Sequence, residues 1–200
     1  MSCANVCAVI AGNLVYDCDN KSVGGLEQTV KLINLCDKNI SDWTVTRNGV
    51  GECANTIAFT GEDPADLNAS TITAIPGKSL LTARFSLEQG DFQDMFVHEV
   101  DIFGQNLSED VLCKINAFGN GAAVIAIVED KSKGTDGEDA FKVYGFDSGL
   151  MIGDFSHDFN ENNGSAIITL SSRDPNFEPY APLILRMTDY ETTKAFFDSL

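Results

Sequence analysis

Hydrophobic and polar residues alternate along much of the chain, and the period of this alternation distinguishes strands from helices. Every second residue from 81 to 87 is apolar and the residues between them are polar, which is typical of a half-buried strand. A second apolar run extends from 92 to 103. The two runs predict a long β-hairpin over residues 80 to 104.

Further strands are predicted on both sides of this hairpin. Short β-prone runs broken by glycine, asparagine and proline lie at 43 to 61 and 70 to 79. The wholly apolar "AAVIAIVE" indicates a strand covered on both faces, and "AFKVYGF" indicates another. "LMIGDFSHDF" and "SAIITLSS", separated by "NENNG", predict a second hairpin.

Three segments have helical spacing instead. "GGLEQTVKLINLCDKN" (24 to 39) predicts a helix with Leu26, Val30, Ile33 and Leu35 near one face. "NLSEDVLCKINAFGNG" predicts a short helix capped by Ser108, ended by Gly119 and apolar at Val111, Leu112, Ile115 and Phe118. "TDYETTKAFFDSL" predicts a terminal helix with capping-box spacing at Thr188 and Glu191 and an apolar stripe of Ala195, Phe196 and Leu200.

The composition indicates a folded protein that does not hold nucleic acid. The 200 residues are 44% hydrophobic and include 13 phenylalanines, enough for one packed domain spanning 1 to 200. Thirty acidic residues against 13 basic ones give a net charge of −17, which argues against a basic face for phosphates. An ordinary soluble acidic surface and a wall past which DNA slides without sticking are both compatible with this charge.

The N-terminus and the cysteines indicate a soluble protein made in a cytosol. The apolar run "VCAVIAGNLVY" (6 to 16) has no basic residue ahead of it, unlike a secretory signal, and no segment is as long as a membrane span. This run predicts a short strand or an arm laid on a neighbouring subunit. The six cysteines form no CxxC pair and are interpreted as reduced, with a disulfide among the first five as the alternative.

Candidate catalytic chemistry is sparse, and we expect no catalytic, cofactor or metal site. His98 shares a strand face with Phe96 and Val100, so a buried structural histidine is favoured over a general base. His157 has Asp154 and Asp158 nearby but no second histidine or cysteine at ligand spacing. "DFNENNG" departs from a calcium loop in its glycine position. GxSxG, P-loop and GxGxxG motifs are all absent from the sequence.

Acidic residues are concentrated around the predicted long hairpin. Between Ser86 and Asp110 the chain has seven Asp or Glu and no Lys or Arg. Because such a hairpin repels itself unless it faces water, the charge indicates either an ordinary solvated sheet face or a lumen lined by symmetry copies. From charge alone the ordinary face is favoured.

The stretches "AIVEDKSKGTDGEDAFKVYGFDSGL" and "ITLSSRDPNFEPYAPL", together with the order of helix, strands, hairpin and short terminal helix, resemble the tail tube (major tail) proteins of tailed bacteriophages. The resemblance is to those of phages and prophages infecting gut Bacteroidetes, and it covers roughly residues 80 to 200. It implies a mainly β (α+β) fold, a β-sandwich or partly closed barrel with a flanking helix and a short C-terminal helix. Residues 1 to 80 would be an N-terminal arm or elaboration.

The resemblance also implies a function. It suggests a non-enzymatic virion protein, assembled in the bacterial cytoplasm, whose copies form stacked, hexameric rings through which DNA passes. Glu88, Glu99 and Asp101 would be the lumen-lining candidates, and the partners would be further copies and other tail proteins, with no cofactor and no membrane. Alternatives are another virion component (ring, adaptor, tail-completion or decoration protein), a carbohydrate-binding β-sandwich, or a small metal-dependent hydrolase around His157.

Overall fold

A computed structural model describes residues 24–47, 54–74, 81–90, 94–104, 108–157, 166–172 and 176–200. This part of the chain is mainly β. Its strands are β1 Leu26–Asn34, β2 Trp43–Arg47, β3 Asn55–Phe59, β4 Ser70–Thr73, β5 Thr82–Glu88, β6 Met95–Gly104, β7 Val124–Asp130, β8 Phe141–Tyr144, β9 Met151–Ser156, β10 Ala166–Ser171 and β11 Leu183–Leu185. Its α-helices are α1 Glu109–Gly119 and α2 Tyr190–Ser199. Short 3-10 turns lie at Leu35–Asp37, Ile40–Asp42, Pro64–Leu67 and Thr135–Gly137.

The strands form two sheets. The large sheet has seven strands in the order β2-β3-β11-β8-β7-β1-β4, and the small sheet has four in the order β5-β6-β10-β9. All strand pairs are antiparallel except β11 with β3. The mainly β, α+β prediction is thus confirmed, and neither sheet closes into a barrel within the described residues.

Two apolar layers hold these elements together. One lies between the sheets and combines Val30 and Val128 of the large sheet with Val100, Ile102 and Leu170 of the small sheet. The other lies on the opposite face of the large sheet, where α2 covers residues that include Ile33, Ile127 and Phe141. The large sheet is therefore buried on both faces, which explains why its central strands lack the alternation of a half-exposed strand.

The structure corrects one prediction, which concerns the strand next to the β4 edge of the large sheet. The helix predicted over 24 to 39 is wrong, because these residues form β1. Val30, Lys31, Leu32 and Ile33 are consecutive and all buried, because the small sheet covers one face of β1 and the apolar layer that includes α2 covers the other. An apolar run buried on both sides can match a helical period by chance.

The other main predictions of secondary structure are confirmed. The first hairpin is β5 with β6, paired from Thr82 with Asp101 to Glu88 with Met95, and the second is β9 with β10. β7 is buried on both faces, as "AAVIAIVE" predicts. Residues 26 to 73 contribute β1 to β4 to the large sheet. The strand or arm predicted at 6 to 16 and the loop "DFNENNG" lie outside the described residues.

Both α-helices are present, with changes at their ends. In α1 the Ser108 hydroxyl accepts a hydrogen bond from the Val111 amide, as predicted, but the left-handed residue is Gly121 (φ +91°) rather than Gly119. Ile115 and Phe118 pack on the layer between the sheets, whereas Leu112 is 44% exposed.

The N-cap of α2 is Asp189 rather than Thr188, since the Asp189 carboxylate accepts from the Thr192 amide at 2.7 Å. The buried face of this helix also differs from the predicted stripe. Phe196 and Phe197 are buried as neighbours, while Ala195 is exposed. The terminal helix is thus docked on its own sheet.

We expect Phe197→Ala to lower the free energy of unfolding by about 3 to 5 kcal/mol, because Phe197 is fully buried and its removal leaves a cavity. Urea denaturation followed by circular dichroism measures the change. Ile40→Ala is the control, since Ile40 is 69% exposed, and should change stability by less than about 0.5 kcal/mol. Equal losses in both variants would contradict the docking of α2.

Candidate functional site

Two of the three lumen candidates lie side by side on one face of the small sheet. Glu99 and Asp101 belong to β6, where Val100 and Ile102 point into the layer between the sheets. Because side chains alternate along a strand, the two carboxylates point to the opposite, outward face. Glu88 lies on the same face at the end of β5, opposite Met95. We call this outward surface the polar face; besides these carboxylates it carries the polar Thr82, Arg84, Asp154, Thr169 and Ser171 and the apolar Met95, Val97 and Ile167.

Arg84 joins Glu99 and Asp101 into a network. Its Nε donates to Glu99 Oε2 at 2.7 Å, and its Nη1 donates to Asp101 Oδ2 at 2.6 Å. The hydroxyls of Thr82 and Thr169 each donate to the Asp101 carboxylate at 2.7 Å. One guanidinium on β5 is therefore shared by two carboxylates on the adjacent strand β6.

This network shifts the protonation of its members. Burial acts to raise the pKa of Asp101, but hydrogen bonds from Thr169, Thr82 and Arg84 outweigh it, so the pKa lies below its usual value. Hydrogen bonds to Asp101 and Glu99 raise the pKa of Arg84. Both groups are thus held in their charged forms.

The role of Arg84 is not evident from the sequence. Arg84 lies two residues before Ser86, where the stretch that has seven carboxylates and no Lys or Arg begins. Strand pairing nevertheless sets Arg84 directly opposite Glu99. The available signal was the hairpin register, which the spacing of the two runs alone does not fix. As a result, the polar face is less acidic than the local count of carboxylates indicates.

The two histidines differ sharply in their surroundings. His98 is 2% exposed and its Nδ1 accepts a hydrogen bond from the Gly145 amide at 3.1 Å. Its ring lies edge-on to that of Tyr144, with centroids 5.5 Å apart. Burial lowers the pKa of His98 to about 4, so the imidazole is neutral at pH 7. The prediction that His98 is buried on its strand is thus confirmed.

His157 is the residue directly after β9, the strand that carries Asp154. Asp158 lies outside the described residues. Across the ranges that the structure describes, no group of three His, Cys, Asp or Glu side chains is placed to hold a metal ion. Cys36 and Cys113 are exposed free thiols, and the other four cysteines are outside these ranges.

A buried carboxylate joins the two stretches that carry the resemblance. Glu178, from "ITLSSRDPNFEPYAPL", is 1% exposed and accepts from the amides of Asp147 (3.2 Å) and Ser148 (2.8 Å) in "YGFDSGL". The Ser148 hydroxyl donates back to the Phe177 carbonyl at 2.7 Å. Burial raises the pKa of Glu178. Two distant segments are thereby fixed to each other.

The loop held by Glu178 has a geometry that only glycine allows at one position. Gly145 has φ +71°, and a Cβ placed there would lie 2.5 Å from Leu150 Cγ. The loop is also tied to β2, because Arg47 donates to Asp147 at 2.6 Å and its guanidinium lies 4.1 Å from the centroid of the Tyr180 ring. The arrangement stabilises the fold and presents no nucleophile with a base beside it.

A second buried carboxylate anchors α2. Glu129, on β7, accepts hydrogen bonds at 2.8 Å from Tyr190 of the helix and from Lys133, and Lys194 lies 3.4 Å away. Burial acts to raise the pKa of Glu129, but the bonds from Lys133 and Tyr190 lower it overall. Two lysines and a tyrosine thus compensate for the buried charge.

Comparisons with known proteins add no relative. Neither a scan against protein-family models nor searches of curated proteins and of solved structures finds a match. In the described part of the chain, no helix is long and apolar enough to cross a membrane. The candidate site therefore rests on the geometry of the polar face and of the sheet edges beside it.

Arg84→Gln should raise the pKa of Asp101 toward its usual value, because the variant removes the charged donor and leaves the bonds from Thr82 and Thr169. The cost in stability should stay below about 1 kcal/mol, since Arg84 is about half exposed. Carbon-detected NMR titration of the carboxyl groups measures the shift. Lys142→Gln, which breaks the pair with Asp130 on the large sheet, is the control, and an unchanged Asp101 pKa in Arg84→Gln would contradict the network.

Buried His98 should make folding sensitive to mild acid. Its pKa is about 4 in the folded protein, against 6.5 for an ordinary solvated histidine, so the unfolded chain binds the extra proton first as the pH falls. This contribution to stability is complete above pH 6.5, is lost as the pH falls from 6.5 toward 4, and totals on the order of 3 kcal/mol.

The measurement is the free energy of urea unfolding between pH 4 and 7 for the wild type and for His98→Gln, whose amide does not titrate. The wild type should lose stability more steeply than the variant below about pH 6.5. Glu178 is present in both proteins and its contribution cancels in the comparison. Parallel curves would show that His98 is not buried in its neutral form.

Proposed function

We propose that the protein is a structural virion subunit that assembles into stacked rings, most simply hexameric, forming the tail tube of a bacteriophage. The observation that carries the proposal is the small sheet, whose two edge strands expose apolar side chains and whose outward face carries Glu88, Glu99 and Asp101. The sequence resemblance supports the same reading. The mechanism is geometric, because copies join edge to edge and leave a bore.

The edge strands of the small sheet are suited to association. β5 and β9 each have a strand on one side only within the described residues. Phe85 and Leu87 of β5 are each 52% exposed, and Phe155 of β9 is 38% exposed. A strand edge with exposed apolar side chains tends to pair with another chain. Joining β5 of one copy to β9 of the next is a heterologous contact, which closes into a ring when the rotation permits.

The polar face would then line the bore. Glu88, Glu99 and Asp101 would face passing DNA, and their negative charge would prevent adsorption of the phosphate backbone. Arg84 lies among them and compensates part of this charge. The proposed lining is therefore negative overall. The guanidinium of Arg84 is paired with Glu99 and Asp101 and would not bind DNA phosphates.

The proposed location and partners follow from this assembly. Copies would be made in the cytoplasm of the bacterial host and incorporated into the virion tail, in contact with other tail proteins. The work requires no catalysis and no cofactor. A ring, adaptor, completion or decoration protein is the second candidate, since the same edges would then pair with a different tail protein.

Assembly of the wild-type protein should be visible at high concentration, as rings or stacked tubes in negative-stain electron microscopy and as large particles in light scattering. The double variant Phe85→Asp/Leu87→Asp should stay monomeric, because two added charges at the β5 edge oppose strand pairing. Its circular dichroism spectrum should match that of the wild type, as both side chains are about half exposed.

The matched control is Ile40→Asp, which adds charge at an exposed apolar residue outside the small sheet and should assemble normally. A wild-type protein that stays monomeric at every concentration would overturn self-assembly and favour the adaptor candidate. Assembly by the double variant would instead exclude the β5 edge as the contact.

A further inference from the structure

An apolar groove of about 410 Å³ opens between the two sheets, beneath α1. The large sheet lines it with Leu32 and Val124, the small sheet with Ile102 and Ile168, and α1 with Ile115 and Phe118. Protein interiors are close-packed and leave few voids larger than a water molecule. A groove of this volume and lining is instead typical of a binding site for a small, mainly apolar molecule.

α1 covers this groove without filling it. Val111, Ile115 and Phe118 are four and three residues apart, so they lie on one face of the helix. Ile115 and Phe118 pack against the layer between the sheets, yet none of the eleven residues of α1, all of them described, is fully buried. A helix on a complete apolar layer buries such a stripe. Space therefore remains beneath α1 for apolar atoms that the described residues do not supply.

The charge at the groove is positive. Lys114 of α1 is exposed, and it is the one charged residue among the lining residues that the structure describes. An anionic headgroup can stay in water beside this ammonium while an apolar tail enters the groove. A cationic headgroup would be repelled at this point, although the net charge of −17 attracts cations to the protein as a whole.

We propose that the groove binds one amphipathic carboxylate of the size of a medium-chain fatty acid, with its tail between the sheets and its carboxylate beside Lys114. Since a water molecule occupies about 30 Å³ in the liquid, a groove of about 410 Å³ holds roughly a dozen groups of that size, as in decanoate. The bound tail completes the apolar packing beneath α1. This site concerns one copy and does not depend on the tail tube proposal.

Titration of the full-length protein with decanoate, followed by NMR of isotope-labelled isoleucine methyl groups, tests this proposal. We expect the methyl signals of Ile115 and Ile168 to shift with a micromolar dissociation constant. Ile57, in the layer on the other face of the large sheet, should not shift. Decyltrimethylammonium has the same tail and the opposite charge, and should bind about tenfold more weakly. The absence of shifts at Ile115 and Ile168 with decanoate up to about 1 mM would overturn the proposal, whatever fills the groove.

Lys114→Gln separates the headgroup contact from the apolar site. It should weaken decanoate binding about fivefold and change the binding of uncharged decanol by less than about twofold. Lys131→Gln is the matched control, because it removes an exposed lysine outside the groove and should bind both compounds as the wild type does. Equal losses for decanoate and decanol in Lys114→Gln, or no loss for decanoate, would overturn the pairing of the carboxylate with Lys114.

Ile115→Trp tests the position of the tail. The larger side chain occupies the space beneath α1 and should abolish binding of both decanoate and decanol. An unchanged circular dichroism spectrum and an unchanged Ile57 signal report that the variant is folded. Leu112→Trp is the control, since Leu112 is 44% exposed on the same helix, and should bind decanoate normally. Decanoate binding by Ile115→Trp with wild-type affinity would place the ligand elsewhere and overturn the proposal.

Discussion

The architecture depends on burial of the large sheet on both faces. β7 has six consecutive buried residues and β1 has four, with side chains on both faces of the sheet, so one face requires the small sheet and the other requires α2. Neither cover is independent, because each buries apolar side chains against the large sheet. The small sheet is thereby fixed with its polar face outward and with β5 and β9 as its edge strands.

Three polar side chains, those of Glu129, Glu178 and His98, are buried where elements pack on one another. Glu129 beneath α2 is compensated by Lys133 and Tyr190, and Glu178 accepts backbone amides of the loop after β8. His98, in the layer between the sheets, remains neutral and accepts one amide. Each satisfies polar atoms where two elements meet, so each specifies how those elements are positioned. None is arranged as a reactive site.

Local patterns predicted the parts of the fold that local chemistry determines. The β5–β6 hairpin, the apolar strand β7 and the capped helix α1 follow from alternation, continuous hydrophobicity and Ser108. β1 was predicted as a helix because burial on two faces removes the period that identifies a strand. The contacts of Arg84 and Glu178 were missed because they depend on register and on segments far apart in sequence, which a single sequence does not reveal.

The polar face shows why counting charges along a sequence overestimates the acidity of a surface. Seven carboxylates between Ser86 and Asp110 suggest a strongly repelling wall, yet Glu99 and Asp101 share the guanidinium of Arg84 from the paired strand. Those two carboxylates share one guanidinium, which compensates one of their two negative charges, whereas Glu88 at the end of β5 is exposed. In a ring of copies, the repulsion felt by a polyanion would therefore come more from exposed residues like Glu88 than from Glu99 and Asp101, and the Arg84 network would serve to hold β5 and β6 together.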